Sequence, residues 1–200
     1  MGRFRYLPQP RTGLLCWIKV SFALCEDPAS RPPGLTCLST LFRVFVQESI
    51  YDEFQKKFLE HTKTLKVGDP FEADTFQGPQ ISQVQYDRIM GYIQSGKDDG
   101  ADLLLGGERF GNEGYYIQPT VFGNVNKSMK IGHEEIFGPV VVLIKFKTEE
   151  EVLEAANDTE YGLASAVFTK DITRALNISH KLEAGEFGSR IERKDRRSHR

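Results

Sequence analysis

Two adjacent carboxylates and an aromatic residue stand beside a Gly-Pro pair within residues 133–141. Glu134, Glu135 and Phe137 are costly to place in a core next to such a break, but they suit a loop that presents side chains to a ligand. The apolar run that follows predicts that this loop lies at the mouth of a strand. An ordinary turn with solvated glutamates is the alternative interpretation of these nine residues.

Other residue types capable of chemistry are sparse and scattered. The three cysteines, Cys16, Cys25 and Cys37, lie in the first fifth of the chain and form no CxxC pair. The four histidines are far apart in the sequence and accompany no cysteine cluster. We therefore predict neither a zinc site nor a disulfide framework, and no metal.

The composition is that of a globular protein, with 200 residues, 40% hydrophobic and 27% charged, and a formal net charge of -2. This balance gives no overall reason to expect nucleic acid or a membrane as partner. Arg3, Arg5 and Arg11 precede an apolar run at 14–25, which resembles a weak signal or transit peptide or is merely atypical. Lys19 interrupts the run, which is too short to span a bilayer. We expect a cytoplasmic protein, with the mitochondrion as the alternative.

The elements that position the carboxylates alternate between strand and helix. Val44 to Val46 predict a short strand, and Ser49 is a candidate cap for the amphipathic helix that follows. The later elements are a helix near 84–93, extended segments at 101–105, 115–125, 140–146 and 163–169, and a helix from Asp171 to Leu182. Another helix follows Thr148, which can cap it, with Glu151 completing a capping box. This order predicts an α/β fold with a mostly parallel sheet and flanking helices.

The chain divides into three segments by character. Residues 1–42 are rich in proline and lack a clear period, so we predict poor order there. Residues 43–185 carry the α/β pattern, and residues 186–200 form a basic tail that we predict to be disordered. A nucleic-acid-binding tail is the alternative, although the tail has no interleaved aromatic residues for stacking.

Four segments, in this order and spacing, resemble the catalytic domain of the aldehyde dehydrogenase superfamily. They are Arg-Val-Phe-Val-Gln-Glu with Ile-Tyr-Asp-Glu-Phe (43–54), Gly-Pro-Gln (78–80), Glu-Glu-Ile-Phe-Gly-Pro-Val (134–140) and Asn-Asp-Thr-Glu-Tyr-Gly-Leu-Ala-Ser-Ala-Val-Phe-Thr (157–169). The resemblance covers residues 43–185 and implies an incomplete catalytic domain. It also implies oxidation of a small-molecule aldehyde to a carboxylic acid with NAD or NADP, in a protein that forms homo-oligomers when intact.

The resemblance also implies roles for particular residues. Glu135 corresponds to the carboxylate that binds the ribose next to the nicotinamide, and Phe137 to the aromatic residue beside the nicotinamide ring. A carboxylate accepts hydrogen bonds from both ribose hydroxyls, and an aromatic face fixes the ring that accepts hydride. Gln85 matches a further ribose contact, with a solvated helix glutamine as the alternative, and we assign no role to Arg88.

The nucleophile of the family is a cysteine whose thiolate attacks the aldehyde to form a thiohemiacetal. Loss of hydride gives a thioester, which water hydrolyses. The expected position is 38, where this chain has Leu38, so Cys37 is the candidate nucleophile and an inert cysteine is the alternative. No residue corresponds to the general base, the oxyanion-binding asparagine or the Rossmann-like domain. We therefore expect a family fragment with unrelated flanks, and a catalytically inactive fragment is the alternative function.

Overall fold

The computed structural model describes the backbone of residues 16–21 and 40–191, and the side chains of residues 43–185. Cys37 and Leu38 lie outside these ranges. Within them, no helix combines the length and apolar composition needed to cross a bilayer.

The described residues form seven strands and five α-helices. The strands are β1 (Cys16–Ser21), β2 (Thr40–Gln47), β3 (Asp102–Leu105), β4 (Thr120–Gly123), β5 (Val140–Phe146), β6 (Ala164–Thr169) and β7 (Glu186–Ile191). The helices are α1 (Tyr51–Thr62), α2 (Gln83–Asp98), α3 (Lys130–His133), α4 (Glu149–Asn157) and α5 (Ile172–Ser179). A 3-10 turn, Glu48–Ile50, joins β2 to α1.

All seven strands belong to one sheet in the order β3-β4-β5-β2-β1-β6-β7. β4, β5 and β2 pair in parallel, as do β6 and β7, while β1 pairs antiparallel with both β2 and β6. Five of the described strands therefore point one way, and β1 and β3 oppose them. The predicted α/β fold with a mostly parallel sheet is confirmed.

Side chains that alternate along the strands divide the core between the two faces of the sheet. Val44 and Val46 of β2 face one side, with Phe54 and Phe58 of α1 packed on it. Phe45 faces the other side, where α4 and α5 supply Val152 and Ile178, among others. Next to that cluster, α2 packs on β4 and β5 through Ile89, Ile93, Phe122, Val140 and Val142. Helices thus cover both faces, as a largely parallel sheet requires.

The first turns of α4 and α1 show which of the two predicted caps forms. The Thr148 hydroxyl accepts a hydrogen bond from the backbone N–H of Glu151, and the Glu151 carboxylate accepts one from the N–H of Lys147. The predicted cap at Thr148 is confirmed. The predicted cap at Ser49 is wrong, because Ser49 lies inside the 3-10 turn and Ile50 precedes α1 without a side-chain cap.

Some predicted elements are longer than the observed ones. Within 115–125 only β4 is a strand, because residues 108–118 fold back on themselves through bonds such as Phe110 N–H to the Tyr116 carbonyl. α5 ends at Ser179, and the Asn157 side chain then binds the carbonyl of Lys181 and the N–H of Glu183. The segments 1–42 and 186–200, predicted to be poorly ordered, contain β1, the start of β2, and β7.

Candidate functional site

The acid loop, residues 134–139, connects α3 to β5 and lies at the amino ends of two parallel strands. Thr120 begins β4 and pairs with Val140 at the start of β5. The Thr120 N–H donates a 2.8 Å hydrogen bond to the carbonyl of Pro139. This bond fixes the end of the acid loop against the sheet, at the strand mouth that the sequence predicts.

Glu134 fixes the beginning of the acid loop. Its carboxylate accepts a 2.8 Å hydrogen bond from the Tyr92 hydroxyl of α2, and the Lys130 ammonium lies 3.9 Å from the same oxygen. Lys130 also lies over the Tyr92 ring, 4.8 Å from its centroid. The contacts of Glu134 are therefore with neighbouring elements, and its carboxylate is engaged in holding the loop.

The centre of the acid loop is packed against α2. Ile136 is buried in the core cluster that contains Ile89. A Cβ built on Gly138 would lie 2.5 Å from Cδ1 of Ile89, well inside van der Waals contact. A glycine is therefore needed where the loop backbone crosses this helix, which explains the glycine that precedes Pro139.

Gln85 contacts the loop backbone at Phe137. Its side-chain amide donates a 2.6 Å hydrogen bond from Nε2 to the Phe137 carbonyl, while the Gln85 backbone N–H binds the Ser82 hydroxyl that caps α2. The predicted ribose contact therefore lies beside the other predicted cofactor residues. Its amide nitrogen is used to orient the peptide group of Phe137.

Phe137 and Glu135 differ sharply in exposure. The Phe137 side chain is 44% exposed although its backbone carbonyl is held by Gln85, so it presents an aromatic ring at the surface. Glu135 is 9% exposed, and its oxygens are hydrogen-bond acceptors. A buried acceptor next to a fixed, accessible ring has the chemical groups that the ribose and nicotinamide of NAD or NADP need.

Arg43 is a buried charged residue to which the sequence analysis gave no role. It lies in β2 opposite Val142 of β5, is 2% exposed, and donates hydrogen bonds to the carbonyls of Ala155 and Ala156 at 3.0 and 3.1 Å. Burial lowers the pKa of Arg43 to about 10, while the negative charges of Asp158 and Glu135 act to raise it. The signal in the sequence was a charged residue directly before a buried β-type run.

Cys37 lies outside the described residues, so its relation to the acid loop is not given by the structure. Among the described residues, no group of three or more histidine, cysteine or acidic side chains is placed to hold a metal ion.

The known proteins that this chain resembles are aldehyde dehydrogenases. The profile of the aldehyde dehydrogenase family matches residues 30–194, which extends on both sides beyond the segment 43–185. An aldehyde dehydrogenase from Agaricus bisporus is 57% identical over 143 residues, 72% of this chain and 29% of that protein. A mitochondrial aldehyde dehydrogenase from Equus caballus is 50% identical over 149 residues, 74% of this chain and 30% of that protein.

The similar solved structures are also aldehyde dehydrogenases. A mutant aldehyde dehydrogenase from Bacillus cereus matches with a TM-score of 0.74 at 39% identity, over 81% of this chain and 33% of its own. The betaine aldehyde dehydrogenase of Staphylococcus aureus in complex with NAD+ matches with a TM-score of 0.72 at 39% identity, over 76% of this chain and 31% of its own. The chain spans about three tenths of the length of the curated relatives it matches, and it belongs to the aldehyde dehydrogenase family.

Proposed function

We propose that this chain supplies the nicotinamide-ribose side of an aldehyde dehydrogenase active site, in an NAD- or NADP-dependent oxidation of an aldehyde to a carboxylic acid. The observation that carries the proposal is the pairing of a buried Glu135 with the exposed Phe137 ring on a loop fixed at both ends. The NAD+ complex of the similar S. aureus enzyme supports a nicotinamide cofactor.

The roles in this proposal follow from the chemistry of each group. Glu135 accepts hydrogen bonds from the two hydroxyls of the ribose, and Phe137 packs its ring face against the nicotinamide. Gln85 holds the Phe137 peptide group in place, so the ring is oriented before the cofactor binds. When bound, the nicotinamide supplies a hydride acceptor.

The bond-making part of the proposal rests on Cys37. Its thiolate adds to the carbonyl carbon of the aldehyde to give a thiohemiacetal, whose oxidation leaves a thioester on the sulfur. Water then hydrolyses the thioester, which releases the acid and restores the thiolate. We place this activity in the cytosol, with the mitochondrion as the alternative compartment.

A binding experiment tests the cofactor roles without requiring turnover. NAD and NADP are titrated separately into the purified chain, and saturation transfer to the nicotinamide and ribose protons is followed by NMR. Phe137→Ala is expected to weaken binding by about tenfold, because an aromatic contact and its packing are lost. Phe71→Ala is the matched control, since Phe71 is an exposed phenylalanine on a different loop. Equal losses in both variants, or no transfer in the wild type, would contradict the proposed site.

A turnover experiment tests Cys37. The chain is mixed with NAD and a reactive aldehyde, and the absorbance of the reduced cofactor is followed. Turnover that disappears in Cys37→Ser and survives in Cys25→Ser supports Cys37 as the nucleophile. Equal turnover in the wild type and Cys37→Ser would exclude it.

The second candidate function is that of a catalytically inactive fragment that keeps the fold and acts by association. It is favoured by the short edge strand β3, which pairs only with β4 among the described strands. An open edge can pair with a second copy. Size-exclusion chromatography together with the turnover assay decides between them: a discrete oligomer without turnover supports association, and turnover excludes the inactive fragment.

A further inference from the structure

Three residues on one face of α2 contact the acid loop. Gln85, Ile89 and Tyr92 are spaced by four and three positions, so their side chains lie on the same side of the helix. Gln85 donates a hydrogen bond to the Phe137 carbonyl, and Ile89 fills the space beside Gly138. These two contacts hold the second half of the loop. The remaining member of this helix face, Tyr92, contacts the first half.

The Tyr92 hydroxyl is held in one place by the surroundings of its ring. Tyr92 is 7% exposed and belongs to the core cluster that contains Ile131 and Ile136. The Lys130 ammonium lies 4.8 Å from the centroid of the Tyr92 ring, and the central carbon of the Arg88 guanidinium lies 5.9 Å from it. A ring that is packed in the core and contacted by two cations has little freedom to move, so its hydroxyl occupies a fixed position.

The partner of this hydroxyl is Glu134, the first residue of the acid loop. The hydroxyl donates a hydrogen bond to the Glu134 carboxylate at 2.8 Å, whereas the Lys130 ammonium is 3.9 Å from the same oxygen. The side chains of Lys130 and Glu134 are 51% and 39% exposed, so water screens their attraction. The charge-assisted hydrogen bond from the buried tyrosine is shorter and less screened. Tyr92, rather than Lys130, therefore fixes the Glu134 carboxylate.

We propose that Tyr92 is a positioning residue for the proposed cofactor site. By holding Glu134, it fixes the backbone from which the next residue, Glu135, extends. Gln85 does the same for the backbone at Phe137, so one helix face supports both proposed cofactor contacts. Order imposed before binding reduces the conformational entropy that a ligand must otherwise remove. That Glu135 receives a ribose rests on the proposed function, whereas the ordering of the loop by Tyr92 does not.

Hydrogen exchange in the absence of cofactor tests the ordering of the loop. The Glu134 N–H donates to the Lys130 carbonyl at 3.1 Å and reports opening at the start of the loop, while the amide of Val142 in β5 reports global opening. We expect Tyr92→Phe to raise the exchange rate of Glu134 relative to that of Val142 by about tenfold, because a hydrogen bond to a charged group is lost. An unchanged ratio of the two rates would overturn the proposal.

Tyr51→Phe is the matched control for this measurement. Tyr51 is also a helix residue with 7% exposure, and it lies in a different core cluster from Tyr92. Its hydroxyl donates to the Leu143 carbonyl at 3.4 Å, and the Lys145 ammonium lies 4.6 Å from the centroid of its ring. We expect Tyr51→Phe to leave the exchange ratio unchanged. An equal rise in both variants would reveal a general effect of losing a buried hydroxyl and would overturn the proposal.

A second background tests whether the effect of Tyr92 passes through Glu134. In Glu134→Leu the tyrosine hydroxyl has no carboxylate to bind, so adding Tyr92→Phe should cause no further rise in the exchange ratio of residue 134. The same tenfold rise in this background would show that Tyr92 acts through another residue, and would overturn the proposal.

Titration with NAD separates this inference from the proposed function. We expect Tyr92→Phe to weaken NAD binding by about tenfold, because the loop is no longer ordered before the cofactor binds. Tyr51→Phe should bind NAD as the wild type does. Faster exchange of the loop in Tyr92→Phe, together with no NAD binding by the wild type, contradicts the proposed function alone. Binding by the wild type that is unchanged in Tyr92→Phe contradicts this inference alone.

Discussion

At the scale of single residues, Gly138 shows how packing rather than chemistry fixes part of the acid loop. Its missing side chain makes room for Ile89, which is fully buried in α2. The loop backbone can therefore approach the helix closely while Phe137 remains exposed. The glycine of the Glu-Glu-Ile-Phe-Gly-Pro segment is thus explained by contact between elements.

We expect Gly138→Ala to lower the free energy of unfolding by about 1–3 kcal/mol, because the added Cβ overpacks against Ile89. Urea unfolding followed by circular dichroism measures this. Gly91→Ala is the control, since a Cβ at Gly91 meets nothing within 4 Å and alanine favours a helix interior. The explanation fails if Gly138→Ala is as stable as the wild type. It also fails if adding Ile89→Ala to Gly138→Ala recovers none of the stability that Gly138→Ala loses.

At the scale of elements, two helix starts that look alike in the sequence differ in the structure. Thr148 caps α4 with its hydroxyl, whereas Ser49 lies within a 3-10 turn before α1 and does not cap that helix. We expect Thr148→Ala to cost about 1 kcal/mol and Ser49→Ala to stay within about 0.5 kcal/mol. Equilibrium unfolding of both variants gives the comparison, and equal losses would contradict the observed capping.

The loop from Lys66 to Gln77 is closed by charge as well as by backbone bonds. The Lys66 ammonium binds Asp74 at 2.8 Å and also Glu72, and the backbone carbonyl of Lys66 accepts from the N–H groups of Phe76 and Gln77. Hydrogen bonds to Asp74 and Glu72 raise the pKa of Lys66 to about 12, and the bond to Lys66 lowers the pKa of Asp74. The loop therefore has a predictable response to pH.

Because its pKa is lowered, ionised Asp74 stabilises the folded loop at pH values above its ordinary pKa of 3.8. This stabilisation is lost as the pH falls through the lowered pKa. Because the pKa of Lys66 is raised, its contribution to the stability of the folded loop is complete at pH values below 10.5 and is lost as the pH rises through about 12. We expect hydrogen-exchange protection factors of the Phe76 and Gln77 amides to fall as the pH drops below 3.8, the ordinary pKa of Asp74, and through its lowered pKa in the folded loop.

In Lys66→Met this fall in protection should be absent. Lys63→Met, which changes an exposed lysine before the loop, should behave like the wild type. The amide of Val142, in the sheet, serves as an internal reference for global opening. A fall that is the same in Lys66→Met as in the wild type would rule out the ion pairs as its cause.

At the scale of the whole molecule, β1 joins two parts of the sheet. Ile18 pairs with Val44 of β2 on one side and with Ala166 of β6 on the other. Without this strand, β2 and β6 would each expose an unpaired edge, which invites pairing between molecules. The continuity of the sheet therefore depends on a strand in a segment that lacks a clear sequence period.

We expect Ile18→Pro to lower the free energy of unfolding by about 3 kcal/mol and to increase the oligomer fraction in size-exclusion chromatography, because proline disrupts a strand paired on both sides. Ile18→Ala keeps the backbone N–H and is the control for loss of the side chain. Identical behaviour of the two variants would show that the pairing of β1 contributes little.

The sequence by itself determined the features that depend on local pattern. The β-branched run at 140–146, the Thr148 cap and the alternation of strands with helices predicted β5, α4 and the α/β class, because these follow from side-chain period and local hydrogen bonding. The family resemblance at 43–185 agreed with the profile match and named Glu135 and Phe137 as candidates. The failed cap at Ser49 shows the limit, since a suitable side chain does not decide where a helix begins.

Only the tertiary structure decided which residues meet across the sequence. Gln85 and Phe137 are joined by a hydrogen bond between residues 52 positions apart, and Arg43 binds carbonyls 112 and 113 positions away. The insertion of β1 between β2 and β6 likewise depends on pairing between distant segments. Such contacts arise from the packing of whole helices and strands, which the local sequence period does not predict. They hold the acid loop that carries the candidate residues Glu135 and Phe137 against its neighbouring elements.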